Sequence, residues 1–235
     1  MGNGWYRCSA TDGLSQARVQ IYISDANGST AAYTGDGASG IVLYGAQLED
    51  GAFPTSYIPT TTAAVTRNAD VATITGTSFS DWWQATRGGV LVRARQSVVT
   101  GTAPLVQFDD NTADNIIALR GNTTNPELYI KAGSVDQATI DAGTIAANTS
   151  YRLAGTWNTN DCAASLNGAV PVLDGSATIP AVTQMRLGSD GTNYLNGHIE
   201  AVEYYDQRIT SAGLQIASSS AGSRGILRSL INPVL

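Results

Sequence analysis

Apolar and polar side chains alternate with a period of two along much of the chain. Ala17, Val19, Ile21 and Ile23 alternate with Arg18, Gln20, Tyr22 and Ser24, and Val90, Val92 and Ala94 alternate with Leu91, Arg93 and Arg95. Successive side chains of a strand point to opposite faces, so this period predicts strands rather than helices. Ile116 with Ala118, Leu128 with Ile130, and Tyr151, Leu153, Gly155 and Trp157 continue the theme. Between these runs lie turn formers: Thr11-Asp12-Gly13, Asn27-Gly28, Gly121-Asn122-Thr123, Asn167-Gly168, Ser189-Asp190-Gly191 and Asn196-Gly197. Asn-Gly pairs suit type I′ turns, whose two central residues both take positive φ. Strands about 8–12 residues apart with such turns predict an all-β sandwich or jelly roll. Helical periodicity is confined to one short segment, residues 211–217, which is expected to cover an edge of the sandwich.

Four regions follow from the pattern. Residues 1–52 hold three predicted strands and read as a short, incomplete β module. Residues 53–75 are a Pro/Thr-rich connector, in which Pro54 and Pro59 disfavour regular ladder pairing. Residues 76–219 form the main sandwich. Residues 220–235 are a tail that turns apolar at Ile226, Leu227, Leu230, Ile231, Val234 and Leu235, and it is expected to dock on another surface.

Composition narrows the classes. The chain has 235 residues, 43% hydrophobic and 14% charged, which is enough apolar material for a core. Thirteen basic against nineteen acidic residues give a net charge of −6, with no basic stripe of the kind that neutralises nucleic-acid phosphates. No apolar run approaches the roughly 20 residues of a membrane-spanning helix, so membrane insertion is not expected. The first residues show neither a signal-peptide nor a myristoylation pattern. Cys8 and Cys162 are read as unpaired, half-buried thiols, with a long-range disulfide between them as the alternative, and His198 has no partner at metal-ligand spacing.

Three strings carry a resemblance: Gly2-Asn3-Gly4-Trp5-Tyr6-Arg7-Cys8, Gly45-Ala46-Gln47-Leu48-Glu49 and Pro54-Thr55-Ser56-Tyr57-Ile58-Pro59-Thr60. Together they resemble a module of bacteriophage fibre and other virion proteins, itself similar to carbohydrate-binding β-sandwiches. In that family the module precedes a concanavalin A-like (laminin G-like) domain. The later strings are similar to that domain: Tyr151-Arg152-Leu153-Ala154-Gly155-Thr156-Trp157 with Ala164-Ser165-Leu166-Asn167-Gly168, then Met185-Arg186-Leu187-Gly188, Leu195-Asn196-Gly197-His198-Ile199 and Tyr204-Tyr205-Asp206-Gln207-Arg208-Ile209. The resemblance implies a virion protein made in the host cytoplasm, a homo-oligomer, with a trimer expected, and contacts to other virion proteins. Several strands usually precede the first string in the family. The chain is therefore expected to be part of a longer fibre, the product of a truncated gene, or a module completed by neighbouring subunits.

Candidate chemistry is sparse. A glycosidase needs two facing carboxylates. Glu200, Glu203 and Asp206 are spaced by three, which on a regular strand sends neighbours in that series to opposite faces, and only a bulge would reunite them. No nucleophile has a marked base, and no cofactor motif stands in its proper context. Asp109, Asp110 and Asp114 lie in an oxygen-rich segment, 108–115, which makes calcium a candidate ligand at a sandwich rim. Sugar binding calls for exposed rings beside Asp, Asn and Gln. The candidates are Trp82 and Trp83, Tyr129, and Tyr194 with Asp190 and Asn193. On a strand, adjacent Trp82 and Trp83 would split between core and surface.

The leading expectation is a non-enzymatic virion appendage (fibre, spike or decoration subunit) presenting a lectin-like face to host-surface glycan. The second is an assembly subunit without ligand. The third is a polysaccharide depolymerase.

Overall fold

A computed structural model describes residues 4–10, 21, 34–38, 40–49, 54–68 and 70–219. The chain divides into two units, Met1–Arg67 and Asn68–Leu235.

In the first unit no described residue lies in a strand. Apart from Ile21, the run expected to form a strand at residues 17–23 falls outside the described residues, as do the turns at 11–13 and 27–28 and the 220–235 tail of the second unit. Polar side chains stitch the string at 45–49 to that at 54–60. The Thr55 N–H donates to Glu49 Oε1 at 2.7 Å and the Ile58 N–H to Gln47 Oε1 at 2.8 Å. Arg7 donates to the Thr55 carbonyl, so all three strings of the resemblance meet here. The Thr55 hydroxyl and N–H hold the Glu49 carboxyl below its usual range.

The second unit is an all-β sandwich of two antiparallel sheets, as the alternation predicts. Its strands are β1 (Ala72–Thr75), β2 (Arg87–Gln96), β3 (Thr102–Asp109), β4 (Ile116–Asn122), β5 (Asn125–Ala132), β6 (Val135–Asp141), β7 (Ser150–Asn158), β8 (Cys162–Leu166), β9 (Val172–Asp174), β10 (Gln184–Leu187) and β11 (Gly197–Tyr205). One sheet has the order β1-β10-β3-β4-β5-β6 and the other β11-β2-β7-β8-β9. Two short helices accompany them, α1 (Thr77–Ser80) and α2 (Ser211–Ser218). The sandwich begins inside the range expected to be a connector, because the Ala-Thr-Ile-Thr of β1 pairs with β10 and turns Ile74 onto the core.

The core lies between the sheets. Val90, Val92 and Ala94 of β2 and Tyr151, Leu153 and Trp157 of β7 face it, as their period-two spacing requires. On β4 the parity is opposite to the expected one. Ile117 and Leu119 face the core, paired with Ile130 and Leu128, while Ile116 and Ala118 lie on the outer face.

Asn167 (φ 51°) and Gly168 (φ 82°) form the expected hairpin turn between β8 and β9. Asn196-Gly197 does not turn; it opens β11. A Cβ on Gly197 would stand 2.2 Å from the Arg95 carbonyl oxygen, so glycine is required there by close approach to β2. α2 is capped by the Thr210 hydroxyl, which accepts from the Gly213 N–H at 3.1 Å. Leu214 of α2 packs with Ala154, Ala163 and Ile209, so the helix lies over the outer face of β7 and β8 rather than over an edge. Cys162 is buried, its thiol pushed up to about 11 by burial, whereas Cys8 is exposed; both are free, and neither is half-buried.

Candidate functional site

The outer face of the six-stranded sheet carries a polar layer that is buried on β3 and β5. Registers place Arg186, Gln107, Ala118, Tyr129 and Thr139 side by side across β10, β3, β4, β5 and β6. The flanking Met185, Phe108, Ile117 and Ile130 point to the core, so this row points away from it. Gln107, Asp109, Glu127 and Tyr129 are only 1–7% exposed. Buried polar groups need partners, and here they supply them to one another. Asp109 accepts from Gln107 Nε2 at 2.8 Å, Arg186 Nε at 2.9 Å, the Asn111 N–H at 2.8 Å, and Gln184 Nε2. Arg186 Nη2 donates onward to Asn111 Oδ1 at 2.7 Å. On the neighbouring strands Arg120 Nε donates to Glu127 Oε1 at 2.7 Å, and its guanidinium lies 3.6 Å over the Tyr129 ring centroid. Tyr129 donates its hydroxyl to Asp136; burial first, then this carboxylate, push the phenol up to about 12.

The loop between β10 and β11 reaches onto this layer. Asp190 Oδ1 accepts from the N–H groups of Thr192 (2.8 Å) and Asn193 (2.6 Å), and Oδ2 accepts from Asn193 Nδ2 at 2.8 Å. Burial raises the Asp190 carboxyl, but these hydrogen bonds and the Arg120 charge outweigh it and leave it below its usual range. Gly191 stands against Arg186, where a Cβ would lie 3.6 Å from Nη1. Tyr194 is 46% exposed, and its backbone bridges to Ser189. The loop thus holds Asp190, Asn193 and Tyr194 in a fixed turn beside Arg120 and Arg186, with Tyr129 beneath Arg120.

The other candidates are placed differently. Trp82 and Trp83 follow α1 in a turn, not on a strand, so the expected split between two faces does not apply. Trp83 stacks on Phe79 (5.1 Å), Tyr204 (5.6 Å) and Trp157 (6.0 Å), and Trp82 meets Tyr204 edge-on at 4.8 Å. Trp82 Nε1 donates to the Ser78 carbonyl at 2.6 Å. Both rings are half-buried parts of the aromatic cluster at this margin of the core. Nor do Asp109, Asp110 and Asp114 converge for calcium. Asp109 is enclosed by its amide and guanidinium donors, Asp110 accepts from Asn115 Nδ2 at 2.8 Å, and Asp114 accepts from the Ser134 hydroxyl. Among the described residues no three His, Cys, Asp or Glu come together to hold a metal. The sequence shows three acids in one stretch but not the direction each carboxylate takes.

On the other sheet, β11 carries a bulge between Ile199 and Ala201. It throws Glu200 onto the outer face, where Glu203 also lies, since Val202 and Tyr204 pack on the core. Each carboxylate has separate partners. Glu200 pairs with Arg93 Nε at 2.7 Å and accepts from the Ser150 hydroxyl at 2.9 Å, while Glu203 accepts from Tyr205 OH at 2.8 Å. Asp206 is exposed. His198, Arg95 and Ser150 stand opposite one another across β11, β2 and β7. With Ile199 and Glu200 they line an open depression of about 450 Å³.

Arg120, Arg186 and Gln107 were not singled out by sequence reasoning. Arg120 and Glu127 were within reach of it, since a hairpin turn at Thr123 sets them opposite each other. The Arg186–Asp109 pair spans 77 positions and leaves no local trace.

No family model matches the sequence, and no curated protein matches it. Solved structures share the fold. A leech intramolecular trans-sialidase, complexed with 2,7-anhydro-Neu5Ac, superposes with a TM-score of 0.52 at 14% identity over 65% of this chain. The match spans only 26% of that protein. The CBM40 of the Ruminococcus gnavus IT-sialidase gives a TM-score of 0.49 at 14% identity, over 58% of this chain and 85% of its own. The SAP-like pentraxin of Limulus polyphemus gives 0.47 at 14% identity, over 61% and 76%.

Proposed function

We propose that the chain is a non-catalytic subunit of a bacteriophage appendage whose sandwich presents a glycan-contacting face to the host surface. The observation that carries this reading is the 188–196 loop. Three hydrogen bonds lock Asp190 while Tyr194 stays 46% exposed beside Asn193, so ring and polar groups are set before any ligand arrives. A pyranose offers an apolar face to a ring and hydroxyls to fixed donors and acceptors. A preorganised loop avoids the ordering cost of binding. Single sites of this size bind weakly, and a multivalent array raises avidity by about 10²–10⁴. The resemblance of the three strings in the first unit supports the virion setting, and side chains of the first two strings hydrogen-bond the backbone of the third. The test is a glycan array and host-cell binding with the full chain. Tyr194→Ala is expected to lower binding about tenfold, the order of a lost stacking contact. Asp190→Ala is expected to do the same by freeing the loop. Binding unchanged in both variants refutes the loop as the contact.

A ligand-free assembly role has one observation in its favour. In the first unit Ile41, Val42, Leu43 and Tyr44 are 55–81% exposed in succession. Apolar runs of this kind are ordinarily covered in an assembly. Val42→Asp with Tyr44→Asp is expected to shift the sedimentation coefficient toward a smaller species; an unchanged coefficient removes this support.

A further inference from the structure

We infer that the depression on the outer face of the five-stranded sheet is a second binding site, one that takes a sugar unit bearing an oxyanion, either a carboxylate or a sulfate ester. The protein as a whole carries a charge of −6, yet this face gathers cations. Arg93 and Arg95 project from β2, and Arg152 of β7 lies directly opposite Arg93 in the register. His198, the only histidine of the chain, lies opposite Arg95. Arg93 and Arg152 face each other across β2 and β7, and like charges so placed destabilise a sheet unless they are compensated.

The cations are not equally engaged. Arg93 is spent on Glu200 at 2.7 Å, and Arg152 Nη1 donates to the Ser219 carbonyl. Among the described residues no hydrogen bond or ion pair engages the Arg95 guanidinium, which lines the depression. Its planar fork suits a carboxylate or sulfate held by two parallel hydrogen bonds. The single acid in the wall, Glu200, is already neutralised by Arg93 and oriented by the Ser150 hydroxyl at 2.9 Å. It does not compete for Arg95, and it remains an acceptor for a sugar hydroxyl. The bulge at Ile199/Ala201 is what brings Glu200 to this wall. A bare inorganic anion leaves the Glu200 acceptor unused, whereas a sugar hydroxyl uses it.

The test measures binding of the full chain to three probes of matched length: oligogalacturonate, sulfated dextran and neutral dextran. One or both anionic probes are expected to bind, with neutral dextran at least tenfold weaker. Arg95→Ala is expected to lose about tenfold for the anionic probe, the order of one charge-assisted hydrogen-bonded contact. Arg95→Lys retains part of the affinity because it keeps the charge and loses the fork. Ser150→Ala, which leaves the arginines in place, guards against a folding defect and is expected to weaken binding by releasing Glu200. The inference is overturned if neither anionic probe binds. It is equally overturned if neutral dextran binds as well, if inorganic sulfate competes as well as the sulfated sugar, or if Arg95→Ala and Ser150→Ala bind as wild type does. This site stands on the sheet opposite the 188–196 loop layer and does not depend on it. Loss with Tyr194→Ala but not Arg95→Ala identifies the loop instead, and an effect of Arg95→Ala alone supports this site even where the loop fails.

Discussion

Asp109→Ala lowers the unfolding free energy of the sandwich by about 3–5 kcal/mol, the scale of breaking a buried ion pair from one side. The Asp109 carboxylate is 2% exposed and Arg186 only 17%. Removing the acid leaves a largely enclosed guanidinium without its counter-charge and the Gln107 amide without its acceptor, while Gln184 keeps only its 3.4 Å bond to Asn111 Oδ1. Both losses act in the same direction, because unpaired buried donors and cations each carry a desolvation cost. Arg93→Ala is the internal comparison. Its pair with Glu200 is 44% and 36% exposed, and such surface pairs contribute under about 1 kcal/mol. Urea titrations followed by tryptophan fluorescence separate the two. A cost for Asp109→Ala as small as that for Arg93→Ala would mean that water reaches the layer and that it is not a closed polar network.

Trp157→Ala is expected to cost a similar amount, about 3–5 kcal/mol, for an apolar reason. Trp157 is fully buried and packs against Trp83 at 6.0 Å and Phe108 at 5.8 Å. Partial collapse of Trp83 into the space limits the loss. Gly88 provides the check on mechanism. A Cβ there would lie 2.7 Å from Trp157 Cζ2, so Gly88→Ala alone overpacks the site and costs about 1–3 kcal/mol. In the Trp157→Ala background the added methyl keeps only its 3.2 Å approach to the Tyr205 carbonyl oxygen, and the two costs fall short of their sum. Strict additivity would show that Gly88 is needed for some cause other than this contact.

Hydrophobic spacing foretold the fold where one face is apolar and the other polar. Val90, Val92 and Ala94 stand opposite Tyr151, Leu153 and Gly155 in the register, and that period is plain in the sequence. Spacing failed on β4, where Ile116 and Ala118 on one face and Ile117 and Leu119 on the other look alike to a count of apolar residues. Only the polar layer outside, invisible in local sequence, distinguishes them. The Asn-Gly rule held at Asn167-Gly168, where φ demands it. It misled at Asn196-Gly197, where glycine answers to a neighbouring strand's carbonyl. Of the site, Asp190, Asn193 and Tyr194 were legible because a turn composition announces itself. The acids of 108–115 were visible as charges but not as directions, so Asp109 was read as a metal ligand when its true partner lies on β10. The reach of Glu200 depends on one inserted residue in a ladder, which no spacing rule locates.

The bulge at Glu200 has a bearing on edge pairing. The outermost strands of the two sheets are β1 and β6 in one and β11 and β9 in the other. Open backbone along such strands recruits foreign strands unless it is short or irregular. β1 has four residues and β9 three. β11 is kinked at Ile199/Ala201, and the β6 pairing slips at Ile130/Lys131. None of the four presents a long straight template, which leaves the sandwich little purchase for a foreign strand.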